Sequence, residues 1–390
     1  MVDDGFVRVA RGEAPRLELD GRPFRFVLIN AYYLQEEAAR GRREIVDETL
    51  KSAAAIGAKV VRAWAFNDDP NKLDSAIQRG RLDYHERGLG GLDLLLDRAR
   101  AHGLKLLLPL VNHWNAYGGS RQWLAWNGIR DAREGDARFF TDERVRAHYA
   151  AHLAFLLHRK NPLTGLRYCD DPTVLGWELM NEPRGRGLDG EGAALADWIG
   201  FAARLVKSHA PRQLVCAGDE GEQVSLDGHD ARFWARAGAL HLFSPSTGTS
   251  FSRHLACPEL DLASCHFYPE KYGIAPGVEA EAGAAWIEEH AALARRAHKP
   301  LVVGEFGLAT RRACAFRRFD AAARTRLYAG WLAAAERAEV AGIGPWLFAY
   351  RGRPAGWDDF TFYRPGPIAR TLARAARRLD EAPRVAGKTW

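Results

Sequence analysis

The residues Val174-Leu175-Gly176-Trp177-Glu178-Leu179-Met180-Asn181-Glu182-Pro183-Arg184 decide the fold. An apolar run with the character of a buried strand stops at Asn-Glu-Pro. Pro183 has no N–H to give to a ladder, so the strand ends at or before it. A carboxamide and a carboxyl are thereby left at a strand's C-terminal tip, where parallel α/β folds place their chemistry. Leu301-Val302-Val303-Gly304-Glu305-Phe306-Gly307 makes a second such tip. Two glutamates on two strand ends point to an enzyme that works with paired carboxyls.

Outward from this stretch, strand and helix patterns alternate along the chain. Strands are expected at 26–31, 58–65, 104–111, 214–217, 260–266, 301–306 and 343–348, with the Val174 run among them. Helices are expected near 45–57, 92–102, 142–159, 188–208, 230–237, 279–298, 319–338 and 367–379; Gly57 and Gly103 are placed to stop the first two. Residues 6–24 alternate apolar and polar around a turn at Asp20-Gly21, which reads as a hairpin within an N-terminal segment 1–24. Eight strands, each followed by a helix, predict an α/β fold: a single (β/α)8 TIM barrel as one catalytic domain over residues 1–390. Two doubly wound domains would need a polar or Pro/Gly-rich break near the middle, and none is present. The long segments 66–91, 112–141 and 218–229 follow strand C-termini and carry aromatics, among them Trp114, Tyr117, Trp123 and Trp126. Such side chains suit the apolar faces of sugar rings; packing within the loops is the plainer alternative.

Bulk properties exclude several classes. The formal charge of +6 comes from arginines scattered over 390 residues, with no basic block of the kind nucleic acid requires. No apolar stretch is long enough to span a membrane. The start Met1-Val2-Asp3-Asp4 lacks the basic and apolar parts of a signal peptide, which favours a cytoplasmic protein over a secreted mature form. Cys169, Cys216, Cys257, Cys265 and Cys314 are odd in number and form no C-x-x-C pair, so neither a zinc site nor a disulfide framework is expected. Cys216 and Cys265 sit in apolar runs as core residues. His148 and His152 have i,i+4 spacing, but Tyr149 stands where metalloprotease chemistry needs a glutamate, so they read as ordinary helix residues. Gly88-Leu89-Gly90-Gly91 lacks a preceding strand and a third glycine of the dinucleotide pattern. No metal and no cofactor is expected.

Given a barrel, the strand tips collect Arg62, Asn112, His113, Asn181, Glu182, Glu220, His266, Tyr268, Glu305 and Trp346. Cleaving a glycosidic bond takes a proton for the leaving oxygen and a stabilised oxocarbenium-like centre, and two carboxyls supply both. Their environments are expected to push the two pKa values apart, with Arg62 keeping one glutamate ionised. Glu178 lies four residues below Glu182, roughly 13 Å at strand rise, and reads as a buried structural residue too deep to reach the same sugar.

These residues resemble glycoside hydrolase family 5, and within it the β-mannanases. The likeness runs through Val61-Arg62-Ala63-Trp64-Ala65-Phe66-Asn67-Asp68, Asn112-His113-Trp114, the Asn-Glu-Pro tip, Gly218-Asp219-Glu220-Gly221, His266-Phe267-Tyr268-Pro269 and Gly304-Glu305-Phe306-Gly307. The resemblance implies a retaining hydrolase of β-1,4-mannosidic bonds in mannan or manno-oligosaccharides. Glu182 would be the acid/base and Glu305 the nucleophile. Asn181 would hold the sugar's 2-hydroxyl, Arg62 and Tyr268 would bond to the nucleophile, and His266 would orient the acid/base. Trp346 would floor the cleavage subsite. Arg184 and Glu220 would reach the leaving-group side, and His113, Trp114 and Trp123 would complete the substrate contacts. Asn112-His113 departs from the paired asparagines of many relatives. Exo-acting β-mannosidase or transglycosylase action on short mannosides, β-1,4-glucanase action and a non-catalytic sugar-binding role stay open at this point.

Overall fold

Short parallel strands, each followed by a return through helix, wrap into one sheet of eight. The computed structural model describes residues 4–10, 15–310, 319–350, 352 and 358–381. The strands are β1 (Phe26–Asn30), β2 (Val60–Arg62), β3 (Lys105–Pro109), β4 (Val174–Glu178), β5 (Leu214–Cys216), β6 (Ala263–Phe267), β7 (Leu301–Phe306) and β8 (Gly342–Ile343). They lie in the order β5-β4-β3-β2-β1-β8-β7-β6. The two outer strands approach where the N–H groups of Asp261 and Leu262 donate to Val215 O at 2.8 and 3.1 Å. The result is a (β/α)8 barrel. Outside it pack helices Arg43–Ile56, Glu86–Ala101, Glu143–His158, Ala193–His209, Glu279–Arg296, Ala321–Arg337 and Pro367–Glu381.

The two-residue period of a strand explains the two-storey interior. Lower down, Phe26, Leu28, Val60, Leu107, Leu214 and Val302 form an apolar plug, sealed by Val7 and Leu17 of the N-terminal segment. One step up the same faces come Asn30, Arg62, Glu178 and His266, all buried. The N-terminal segment turns at Asp20 and Gly21, whose φ values of 53° and 73° suit the two central residues of a type I′ hairpin. A third short strand, Arg8–Ala10, pairs with its first arm.

Some boundaries differ from the sequence expectation for physical reasons. Helix Glu86–Ala101 begins six residues before the expected 92 and takes Gly88, Gly90 and Gly91 inside it. A Cβ on Gly88 would stand 1.9 Å from Ala76 O, and one on Gly91 2.5 Å from Gln35 O. Close packing against the loop at Ala76 and against helix Leu34–Ala39 overrides the poor helix propensity of glycine here. Helix Ala193–His209 starts later than 188, because Asp189 turns its carboxylate onto the N–H groups of Ala193 and Ala194 at 2.9 and 2.7 Å. The last strand is only Gly342–Ile343. Its backbone stays tied to β7 through Gly344 N–H to Val303 O and Trp346 N–H to Phe306 O. Helix Gly119–Trp126 lies inside the segment 112–141 read as loop, and helix Leu34–Ala39 fills a stretch for which no element was expected. Cys314 lies outside the described residues, and among those described no helix is long and apolar enough to cross a membrane.

Candidate active site

The strand tips are over-determined by backbone bonds before any side chain acts. β4 ends at Glu178, but Asn112 and Asn181 form a parallel bridge beyond it. Asn181 N–H donates to Val111 O at 2.8 Å and Glu182 N–H to Gly218 O at 3.0 Å. Glu182 is thereby held at φ 55°, a left-handed conformation that L-residues other than Asn and Asp rarely adopt. Backbone strain of this kind collects at functional sites. Across the barrel, pairing of β6 with β7 runs Cys265 to Val303 and then His266 to Glu305, passing over Gly304. This bulge re-aims Glu305 into the barrel mouth.

Glu305 is buried, and both of its oxygens are engaged. Oε1 accepts from Arg62 Nη1 at 2.6 Å, and Oε2 accepts from the Tyr268 hydroxyl. Arg62 spends the rest of its guanidinium on Glu178 Oε2 (Nε at 2.8 Å) and Asn181 Oδ1 (Nη2 at 2.7 Å). Asn181 in turn donates to Asn112 Oδ1 at 2.9 Å. Burial works to raise the Glu305 pKa, but the charges of His266 and Arg62 and the Tyr268 hydrogen bond hold it below the usual carboxylate value.

Glu182 is buried as well. Its Oε1 lies 2.7 Å from His266 Nδ1, and its Oε2 accepts from the Trp114 indole N–H at 2.6 Å. Burial and the Glu305 charge push the Glu182 carboxyl up; the hydrogen bond and charge of His266, with Lys271, outweigh them and hold it low. The imidazole answers in the opposite sense. Burial lowers it, yet the Glu305 charge and the Glu182 contact raise it above its ordinary value. Both carboxyls are thus shifted downward and the imidazole between them upward. Oxygens of Glu182 and Glu305 come within 4.8 Å of each other.

Among the described residues Glu182, His266 and Glu305 also form the one group with the composition of a metal site. Arg62, Tyr268 and Trp114 already point donors at the carboxylate oxygens, an arrangement for sharing protons and hydrogen bonds. A surface cavity lies elsewhere, between Leu255, Pro258, Asp261, Arg296 and Lys299. It has no carboxylate pair, so the strand tips remain the candidate site on chemical grounds.

The other expected residues divide. Half-buried Trp346 stands at the mouth, its indole on Asp358 Oδ2 at 3.1 Å and its ring stacked on Tyr32 at 5.1 Å. Arg184 forks onto Glu220 at 2.5 and 2.8 Å and lies over the Trp114 ring. Trp123 needs correction. It is fully buried and donates to Asp68 Oδ2 at 2.7 Å, so it stacks on protein and offers no face to a sugar. His113 is also buried, between Trp114 and Phe140, and burial with the nearby Arg184 charge brings its pKa down to about 4. It supports Trp114 from within. Sequence reasoning missed Tyr32, two residues past the β1 tip, which position alone could have flagged. It also missed Lys271, whose ammonium lies 4.1 Å from the centre of the Tyr268 ring and for which the sequence carries no signal.

A family model described as GH family 5 beta-mannosidase-like matches residues 5–366. The chain belongs to glycoside hydrolase family 5. It is 34% identical to a putative mannan endo-1,4-beta-mannosidase 5 of Oryza sativa subsp. japonica, over 91% of this chain and 71% of the relative. It is 35% identical to mannan endo-1,4-beta-mannosidase 1 of the same plant, over 78% of this chain and 68% of that one. The endo-beta-1,4-mannanase of Thermotoga petrophila superposes with a TM-score of 0.82 at 27% identity, covering 94% of this chain and 79% of that one. Membership in family 5 accounts for the barrel.

Proposed function

We propose that this family 5 chain is a retaining endo-β-1,4-mannanase, its chemistry carried by Glu182 and Glu305 in one barrel domain. The observation behind it is that one oxygen of Glu182 and one of Glu305 lie within 4.8 Å of each other. Retaining glycosidases keep their carboxyls about 5–5.5 Å apart, whereas inverting ones leave about 6.5–9.5 Å for a water. Glu305, kept ionised by Arg62 and Tyr268, attacks the anomeric carbon and forms the glycosyl-enzyme. Glu182 delivers the proton it shares with His266 to the leaving oxygen, and then draws a proton from the water that resolves the intermediate. Asn181, fixed by Arg62 and Asn112, presents its amide to the 2-hydroxyl, and Trp346 lies under the reacting sugar. Arg184, Glu220 and Trp114 face the leaving-group side. Mannan relatives support the substrate class.

The test is product analysis on mannan, mannohexaose and cellohexaose, with the first-formed anomer read by proton NMR. Internal cuts in mannohexaose giving the β-anomer first are expected. An α-anomer first, or preference for cellohexaose, overturns the reading. Exo action on short mannosides is a second reading, favoured by one observation. Tyr117 bonds to Glu36, and Lys72 both bonds to Glu36 at 3.0 Å and covers the Tyr117 ring. These contacts tie the 112–141 loop to helix Leu34–Ala39 beside Tyr32 and crowd that end of the cleft. A mannan viscosity that falls slowly relative to reducing ends would select exo action; a rapid early fall selects endo action.

A further inference from the structure

Two polar atoms of the barrel interior take no part in the site as described. Oε1 of Glu178 and Nε2 of His266 are both buried, and neither has a hydrogen-bond partner. They face the same place. A methyl group built on Gly304 would stand 3.0 Å from His266 Nε2 and 4.0 Å from Glu178 Oε1. Gly304 is the residue passed over by the β6–β7 bulge, and a glycine inside a strand marks a point where something else must come close. An unmet donor and an unmet acceptor in one buried niche are unfavourable on both sides. A water with partners of both kinds meets that need.

We propose that Glu178 is a positioning residue of the catalytic pair: a water seated against Gly304 joins Glu178 Oε1 to His266 Nε2 and keeps His266 protonated beside Glu182. This rests on the reading of Glu182 as acid/base. The groups facing His266 are Glu182 and Glu305, which favour the imidazolium, and Arg62, which opposes it. Glu178 acts on both sides of that balance. Its Oε2 takes up Arg62 Nε and Nη2, which offsets the guanidinium charge, while the water gives Nε2–H an acceptor. Both effects favour the charged ring. Glycine at 304 is what leaves the water its place.

The experiment uses the full chain labelled with 15N-histidine. The His266 signals are identified by their loss in His266→Gln and titrated in the wild type and in Glu178→Gln. The His266 midpoint in Glu178→Gln is expected to fall by about one pH unit. The alkaline limb of kcat/KM on mannohexaose is expected to fall with it. An unmoved midpoint overturns the proposal, since a merely structural Glu178 lowers activity without changing who holds the proton. Should Glu178→Gln not fold, a high-resolution crystal structure of the wild type decides. Density bridging His266 Nε2 and Glu178 Oε1 supports the proposal, and a niche without it overturns it. If no mannoside is cut, the function proposed above fails, while the titration still reports on Glu178.

Discussion

The indole N–H of Trp114 lies 2.6 Å from Oε2 of Glu182, and Oε1 of the same carboxylate faces His266 at 2.7 Å. Neither oxygen of the proposed acid/base is idle. A leaving oxygen that takes its proton from Glu182 must therefore compete with Trp114 for Oε2. A hydrogen bond to the ionised form lowers a carboxyl's pKa, so losing it raises the proton affinity of the Glu182–His266 pair. Trp114→Phe keeps an aromatic ring beside Arg184 and removes the N–H together with the rest of the indole's five-membered ring. The expected result is an alkaline limb of kcat/KM displaced upward by about one pH unit. A limb that stays in place, measured on mannohexaose, would show that the contact does not govern the proton.

Arg62 touches four side chains and is almost wholly buried. Lysine offers a point charge in place of a planar fork, so Arg62→Lys cannot hold Glu305, Asn181 and Glu178 together. A loss in kcat of roughly a hundredfold or more is expected, comparable to removing one transition-state donor. Arg62→Ala leaves two buried carboxylates without their cation, at a cost of about 3–5 kcal/mol in stability. Steady-state kinetics and urea unfolding of the two variants separate these effects, and an Arg62→Ala protein as stable as wild type would contradict the second.

The two glutamates are distinguishable by their products. Glu305→Ala removes the group that forms the glycosyl-enzyme, so turnover should vanish and return with azide, which attacks the same face and gives the α-glycosyl azide. Glu182→Ala still forms the intermediate from substrates with good leaving groups, which need no proton. Azide then enters from the opposite face and gives the β-product. Mass and NMR analysis of the azides checks the assignment, and exchanged products would reverse the two roles.

What the sequence shows and hides follows from physical range. Strand tips were legible because Pro183 and the apolar runs are local signals, and pairing of Glu182 with Glu305 followed from barrel geometry. The depth of Glu178 was legible too, but its bond to Arg62 Nε at 2.8 Å was not, since one residue in a strand carries no mark of its cross-barrel partner. Trp123 was misplaced for a related reason. A loop tryptophan reads the same whether it faces sugar or protein. Its burial against Asp68, His148 and Phe139 depends on contacts between segments far apart in the chain. His266 lies 2.7 Å from Glu182 and 3.8 Å from Glu305 and lowers both carboxyls, a contact across the barrel that no local pattern announces.

Buried histidines away from the acid/base make the fold sensitive to acid. Burial brings His113 and His148 down to about 4 and His152 to about 3, from an ordinary 6.5. Nearby positive charges act in the same direction, Arg184 on His113 and Arg81 on His148. His148 is fitted to its neutral form: Asn127 Nδ2 lies 3.0 Å from Nδ1, and Gln78 Oε1 lies 3.2 Å from Nε2. Between pH 6.5 and about 4 the unfolded chain binds protons at these positions and the folded chain does not, so stability rises with pH across that window. Each histidine contributes a slope of about 1.4 kcal/mol per pH unit. His266 has the opposite sign: its raised folded value adds stability below the ordinary 6.5 that is lost as pH rises through the folded pKa. That loss lies above pH 6.5. Inside the window His290, brought down to about 4 by burial, adds to the three, and Asp68, pushed up to about 7 by burial, opposes them with one proton, so the unfolding free energy should fall steeply from pH 6.5 toward pH 4. His148→Gln should reduce the slope by about one proton, whatever its effect on stability at pH 7. Urea titrations at intervals across this range supply the measurement. A wild-type slope near zero would mean that these imidazoles are protonated inside the fold.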